Sequence, residues 1–160
     1  MALRYLAWVC AGLVVAGGAA HAGTVTVAFV QPEAFSDVRD GDLDTKGNLQ
    51  TIADYLQWLG QKYLPPDQSL QIDVLDIDLA GRLRPTVRWG MVRVIGNTAD
   101  WPQMRLRYRL ESAGQEVASA EQSLSDMGYV GHLEAFTGWD SLPYEKRMLR
   151  DWFRKQFVKN

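Results

Sequence analysis

The sequence predicts an α+β domain: a mainly antiparallel sheet of about five strands, with both helices packed on one face. Three observations lead there. Two segments repeat their apolar residues at steps of three and four, as one face of a helix does. The remaining structured segments alternate apolar and polar residues, as half-buried strands do. Four of these alternating segments follow one another with no helix between them, which favours antiparallel pairing.

Thr24 to Val30 alternates with Val25, Val27 and Phe29 on one face, and Pro32 ends it. An acidic loop runs from Phe35 to Asp44. Leu49, Ile52, Leu56, Leu59 and Tyr63 then share one helical stripe. Asp44 or Thr45 can cap that helix, and Pro65-Pro66 forbids its continuation. Leu70, Ile72 and Val74 alternate as the next strand, but the phase slips to Ile77 and Leu79, which requires a bulge near Leu75.

Val92–Val94 and the run Met104, Leu106, Tyr108, Leu110 supply two further strands. A turn around Ala113-Gly114 leads to Val117–Leu124 as the partner of the second of them. A three-residue loop is expected, with Arg105 facing Glu121 and with Ala118, Ala120 and Gln122 pointing inward. A two-residue loop would turn Glu121 into the core, where a lone carboxylate is strongly unfavourable. The last helix starts near Pro143, capped by Asp140 or Ser141, with proline in the first turn where its missing N–H does no harm. Its apolar face is Tyr144, Met148, Leu149, Trp152, Phe153 and Phe157, and the expected order is β-α-β-β-β-β-α.

Residues 1–22 read as a secretory signal peptide. Arg4 gives a positive start, an uncharged stretch runs from Tyr5 to Ala20, and Ala20-His21-Ala22 is a small-x-small cleavage site. The stretch is shorter than the roughly 18–20 apolar residues of a spanning helix, so no transmembrane segment is expected after cleavage. The expected mature chain, 23–160, is one globular domain in the periplasm or outside the cell. Cys10 lies in the leader, too early and in the wrong context for lipid attachment, so the mature domain holds no thiol. Of 17 Lys and Arg only Arg4 is lost, leaving 16 against 19 Asp and Glu, a formal charge of −3. That near-balance argues against nucleic acid as a partner.

Several constellations can carry chemistry. Asp40, Asp42 and Asp44 occupy the first, third and fifth places of a calcium loop, but Thr45 stands where glycine is needed and Thr51 where a bidentate Glu is needed. Their plainer role is to favour the helix N-terminus that follows. No metal or cofactor is therefore expected. Asp76 and Asp78 share a strand face after the bulge, as an acid–base pair of a glycoside-cleaving enzyme does. Their plainer role is the solvent side of a strand, balanced by arginines.

Arg105, Arg107 and Arg109 alternate on one strand, with Arg82, Arg84, Arg88 and Arg93 nearby; they can bind an anion or pair with neighbouring carboxylates. Trp89 and Trp101 flank this region, and tryptophan beside arginine is typical of binding surfaces. The last helix carries Lys146, Arg147, Arg150, Arg154, Lys155 and Lys159 opposite its aromatics. That suits a membrane-surface helix, and suits better a helix docked on an exposed sheet face. The mature chain has one histidine, His132, and neither a Gly-x-Ser-x-Gly nor a His-Glu-x-x-His motif.

Phe35-Ser36-Asp37-Val38-Arg39-Asp40-Gly41, Tyr63-Leu64-Pro65-Pro66 and Asp76-Ile77-Asp78-Leu79-Ala80-Gly81 form a distinctive set. Trp101-Pro102, Ser125-Asp126-Met127-Gly128-Tyr129, Tyr144-Glu145-Lys146-Arg147-Met148-Leu149 and Asp151-Trp152-Phe153 complete it. Together these strings resemble the secreted proteobacterial family catalogued as domain of unknown function 3016, with Asp67 a departure where glycine is expected. The resemblance covers nearly the whole mature chain and implies a Gram-negative envelope or exported protein, without an activity. The expected function is a non-enzymatic periplasmic binding or accessory domain, with an envelope protein, a glycan or an anionic molecule as partner. Its candidate contact residues are Asp76, Asp78, Arg84, Trp101, Arg105, Arg107 and Tyr129. The alternative is a small envelope hydrolase using Asp76 or Asp78 with His132.

Overall fold

The structure is a computed structural model that describes residues 23–39, 45–96, 99–131 and 141–158. Along the chain run β1 (Thr24–Phe29), a short 3-10 turn (Pro32–Ala34), α1 (Thr45–Tyr63), β2 (Gln68–Asp78), β3 (Arg82–Thr86), β4 (Gly90–Val94), β5 (Gln103–Ser112), β6 (Gln115–Ser125) and α2 (Pro143–Phe157). Four strands form one sheet in the order β1-β2-β5-β6, and β3 with β4 forms a separate two-stranded sheet. The α+β class is as expected, but strand count and order differ. The expected single sheet divides in two, and β3 was not foreseen. Arg82-Leu83-Arg84-Pro85-Thr86 shows little apolar alternation, and its proline argues against a central strand. Such a segment lacks a face to bury, so it pairs with β4 alone.

The main sheet is antiparallel except at one edge, where β1 runs parallel to β2. A parallel neighbour needs a crossover, and α1 supplies it. Leu70, Ile72 and Val74 of β2 point inward with Met104, Leu106, Tyr108 and Leu110 of β5. They meet Ile52, Leu56 and Leu59 of α1 and Met148, Leu149, Trp152 and Phe153 of α2 in one core. Both helices thus cover one face and leave the other to charged residues. Each fully buried Leu, Ile or Phe there contributes about 1.5–3 kcal/mol, which is why the alternation dictates the face.

Two bulges keep that alternation in phase. Val74 lies opposite Leu106 and Asp76 opposite Arg105, so Leu75 is the extra residue and Ile77 returns to the core. At the β5–β6 turn the expected three-residue loop is replaced by a two-residue one. Ser112 pairs with Gln115, and Ala113 and Gly114 both have positive φ, 50° and 78°. A second shift sets Glu111 opposite Glu116 but Leu110 opposite Ala118, leaving Val117 unpaired and exposed. This extra residue restores the phase, so Ala118, Ala120 and Gln122 face inward as expected and Glu121 stays in solvent. Arg105 sits opposite Ser123, and Glu121 opposite Arg107.

The last helix docks through its aromatics. Phe157 meets Tyr108, Trp152 and Phe153 edge-on at 4.9–5.4 Å between ring centres. Beneath it the Trp152 indole N–H donates to Gln122 Oε1 at 2.6 Å, Gln122 donates to Gln156 at 3.2 Å, and Gln156 donates to the Tyr108 hydroxyl at 2.8 Å. The polar tips of the aromatic cluster are thereby satisfied.

On the opposite side α1 approaches β1 closely at Gly60, where an added Cβ would collide with Val25 Cγ2. Replacing Gly60 by Ala gains about 1 kcal/mol of helix propensity. It also overpacks a rigid β-branched neighbour, which costs typically 1–3 kcal/mol. Gly60→Ala is expected to lower the thermal midpoint, and Gly60→Ala with Val25→Ala to recover part of the overpacking loss, measured by calorimetry as a double-mutant cycle.

Candidate functional site

The outer face of the sheet carries the arginine ladder, and each member is paired. Arg107 reaches Asp73 at 2.9 Å, Arg105 reaches Glu121 diagonally at 3.4 Å, and Arg109 reaches Glu116 at 3.2 Å. The hydrogen bond from Arg107 holds the Asp73 carboxyl below its ordinary value, against a partial burial that pushes it up. Exposed cross-strand pairs of this kind contribute about 0.2–1 kcal/mol each. Arg105 and Arg107 therefore belong to a neutralised charge ladder, the plainer of their two expected roles.

A second cluster forms where the end of β2, residues 36–39 and the base of the β3–β4 hairpin meet. Asp37 runs beside β2: its N–H donates to the Ile77 carbonyl at 2.9 Å, and its own carbonyl accepts from Leu79 at 3.0 Å. Ser36 donates its N–H and its hydroxyl to the two carboxylate oxygens of Asp76, at 2.7 and 2.8 Å. Arg93 of β4 enters this junction with its side chain only 9% exposed. One terminal nitrogen donates to the Gly81 and Ala80 carbonyls at 2.9 and 3.3 Å, with the Leu79 carbonyl at 3.5 Å. The other donates to both Asp37 oxygens at 3.0 Å and to the Arg39 carbonyl.

Gly81 is required here for two reasons. Its φ is +79°, and a Cβ would lie 2.5 Å from the Val94 carbonyl oxygen. The turn is further held by Asp100, whose carbonyl accepts from Gly81 at 2.8 Å while its carboxylate takes Arg82 at 2.5 Å. From the helical side Glu145 of α2, 2% exposed, accepts the Ala80 N–H at 2.7 Å.

Asp78 completes the cluster, half-buried next to Asp37. Burial raises its carboxyl above the ordinary value; the charges of Asp37, Asp76 and Asp100 add to this, and Arg93 opposes it. A carboxyl that keeps its proton to higher pH has the property of a general acid. Asp76 is different: both its oxygens are engaged by Ser36. The expected histidine partner, His132, lies outside the described residues, as do Asp40, Asp42 and Asp44. Among the described residues no group of three or more His, Cys, Asp or Glu is arranged to hold a metal ion.

A groove and a projecting hairpin belong to this region. A groove of about 880 Å³ lies between residues 32–39, the start of α1 and Leu83 at the hairpin base. Its walls mix Phe35, Val38 and Leu49 with Glu33, Arg39 and Lys46. Beyond the groove the hairpin projects into solvent. Val87 is fully exposed and Trp89 is 71% exposed, with Met91, Val94 and Ile95 also on the surface. Residues 82–94 hold four arginines and no acidic residue. Arg82 and Arg93 are tied down at the base, whereas Arg84 and Arg88 have no carboxylate partner among the described residues. Arg88 lies 5.7 Å from the Trp89 ring centre.

The remaining expected contact residues lie apart from the hairpin tip. Tyr129 is 2% exposed, donates its hydroxyl to the Gly96 carbonyl at 2.6 Å, and meets Tyr144 edge-on at 4.9 Å. Burial, the main cause, pushes its phenol up. Trp101 is half-buried just before β5. Sequence reasoning overlooked Asp37, Asp100 and Glu145, and counted Arg93 only as one more surface cation. It also passed over Val87. The signal for the tip was present: a Pro85-to-Gly90 turn that holds Val and Trp in place of the usual small polar residues.

A sequence model for the family described as protein of unknown function, DUF3016, matches residues 23–155. The chain belongs to that family. The DUF3016 region takes in every described strand, α1 and most of α2, so the Arg93 junction and the hairpin are both inside it. No match was found among curated proteins.

Two outcomes follow from the junction. Arg93→Ala leaves Asp37 and four carbonyls without this donor, and breaking a buried pair by removing one partner costs about 3–5 kcal/mol. A fall in the denaturant midpoint, together with faster amide exchange in residues 79–94 than in β5, is the expected reading. Asp78 binds its proton more tightly folded than unfolded, so folding stability falls as pH rises from the unfolded value through the raised folded one. Asp78→Asn removes this penalty. The variant is expected to melt above the parent at pH 7, and the gap to close below about pH 4, measured by calorimetry across pH.

Proposed function

We propose that this DUF3016 chain is an exported binding or accessory domain that works without catalysis, and that the β3–β4 hairpin is its recognition element. The observation that carries the reading is the tip itself. Val87 and Trp89 stand in solvent on a rooted hairpin, next to two arginines that no described carboxylate neutralises. Exposed aromatic and arginine residues held on a fixed support are the usual anchors of an interface, and leaving a Trp in water has no structural benefit. The paired ladder on the outer sheet face, by contrast, offers no unsatisfied charge.

Export rests on the leader-like residues 1–22, and the family match beginning at Gly23, the expected first mature residue, is consistent with it. The fitting partners are an envelope protein, a glycan or an anionic molecule. One observation favours the alternative of a small envelope hydrolase: the raised Asp78 carboxyl. The engagement of both Asp76 oxygens by Ser36 weighs against the paired-carboxylate form of it.

A photo-reactive side chain placed at Arg88 is expected to form discrete adducts in intact envelopes, while the same group at Ser69 on the outer sheet face forms none. Equal labelling from the two positions would remove the hairpin from its role. Cleavage of a glycan or ester substrate by the parent and not by Asp78→Asn would favour the hydrolase.

A further inference from the structure

We propose that the hairpin tip docks on an anionic lipid surface, with Val87 and Trp89 entering the interface and Arg84 and Arg88 reaching the lipid phosphates; this rests on the binding role assigned to the hairpin above. The composition is that of an interfacial anchor, with an amphipathic indole and an aliphatic residue at the apex and cations immediately behind them. Charge is the first argument. The tip is purely basic, whereas Asp37, Asp76, Asp78 and Asp100 gather at the hairpin base and the whole chain carries a formal charge of −2. An anionic surface attracts the tip and repels the base, so contact through the apex is favoured over contact through the base, and the attraction fades beyond a Debye length of about 10 Å.

The backbone is the second argument. A turn can enter a poorly hydrated region only if its own N–H and C=O groups are satisfied. The Thr86 hydroxyl meets part of this requirement at the apex: it accepts the Trp89 N–H at 3.1 Å and donates to the Gly90 carbonyl at 3.0 Å. Pro85 carries no N–H and so removes one further donor from the exposed edge of β3. The rigid root at Arg93 holds the tip clear of the domain body, so insertion needs no unfolding.

The test is sedimentation of the purified protein with vesicles of phosphatidylglycerol and phosphatidylcholine in equal parts, and with vesicles of phosphatidylcholine alone. Binding to the mixed vesicles is expected, falling steeply with added salt, and little to the neutral ones. Arg84→Gln and Arg88→Gln should each weaken it about fivefold, from the roughly 1 kcal/mol that a basic residue contributes near an anionic surface. Val87→Ser with Trp89→Ser should reduce it at least as much, with an unchanged melting curve to show that the fold persists. Brominated lipid should quench the parent more than Trp89→Phe. Absence of binding to the mixed vesicles overturns the proposal. So does binding that survives the tip changes but is lost in Arg154→Gln with Lys155→Gln on α2. If position 88 crosslinks to a protein while vesicles are ignored, the lipid partner falls and the binding role stands; if position 88 crosslinks to nothing and vesicles are ignored, both fall.

Discussion

The buried guanidinium of Arg93 joins parts of the chain that are far apart in sequence. From β4 it reaches back to the carbonyls that follow β2 and to the Asp37 carboxylate beyond β1. Without it the β3–β4 hairpin would be tied to the domain mainly by the Gly81 turn and the Asp100 contacts. A two-stranded hairpin alone in water is marginal at best, so this anchorage decides whether the hairpin has a fixed direction. Burying an ion pair brings little net stability, because desolvation offsets most of the attraction. What the geometry does supply is position: a planar fork satisfied on both arms admits one orientation.

The same junction explains why acid gathers there. Asp37 neutralises Arg93, Asp76 ties the 36–39 segment to the sheet through Ser36, and Asp100 fixes Arg82 at the hairpin base. Asp78 lies among these like charges in a half-buried position, and its raised carboxyl is a consequence of that burial first and of the crowding second. A perturbed titration is commonly a sign of an active site, but structural ion-pair networks also produce it. Here each neighbouring carboxylate has a structural task, which makes the perturbation secondary to the architecture.

The two surfaces rich in arginine have opposite characters for a topological reason. On β5 the arginines stand between strands that present carboxylates within reach, Asp73 on one side and Glu121 and Glu116 on the other, so every guanidinium of the ladder finds a partner. Above its rooted base the hairpin pairs only with itself. From Arg84 onward the residues opposite β3 are Val92, Met91 and Gly90, so no acidic residue faces Arg84. Charge pairing in the first case and its absence in the second separate a supporting surface from a candidate contact surface. The apolar tip is the feature of the second that solubility alone does not account for.

The sequence alone determined the α+β class, both helices, the inward faces of the four sheet strands and the bulge at Leu75. All of these rest on local periodicity, which burial on one side of a sheet makes legible residue by residue. It also carried the family strings and the inward set Ala118, Ala120 and Gln122, although the turn that achieves it differs: Val117 is the extra residue, and a two-residue turn with one bulge has the same phase as a three-residue loop. Only the tertiary structure decided that β3 and β4 leave the sheet, that Arg93 is buried while Arg84 and Arg88 are not, and that Asp37, Asp78 and Asp100 meet. Those facts depend on pairings across long stretches of chain. An arginine in an alternating strand reads the same whether its outward face meets water or a carboxylate delivered from elsewhere in the fold.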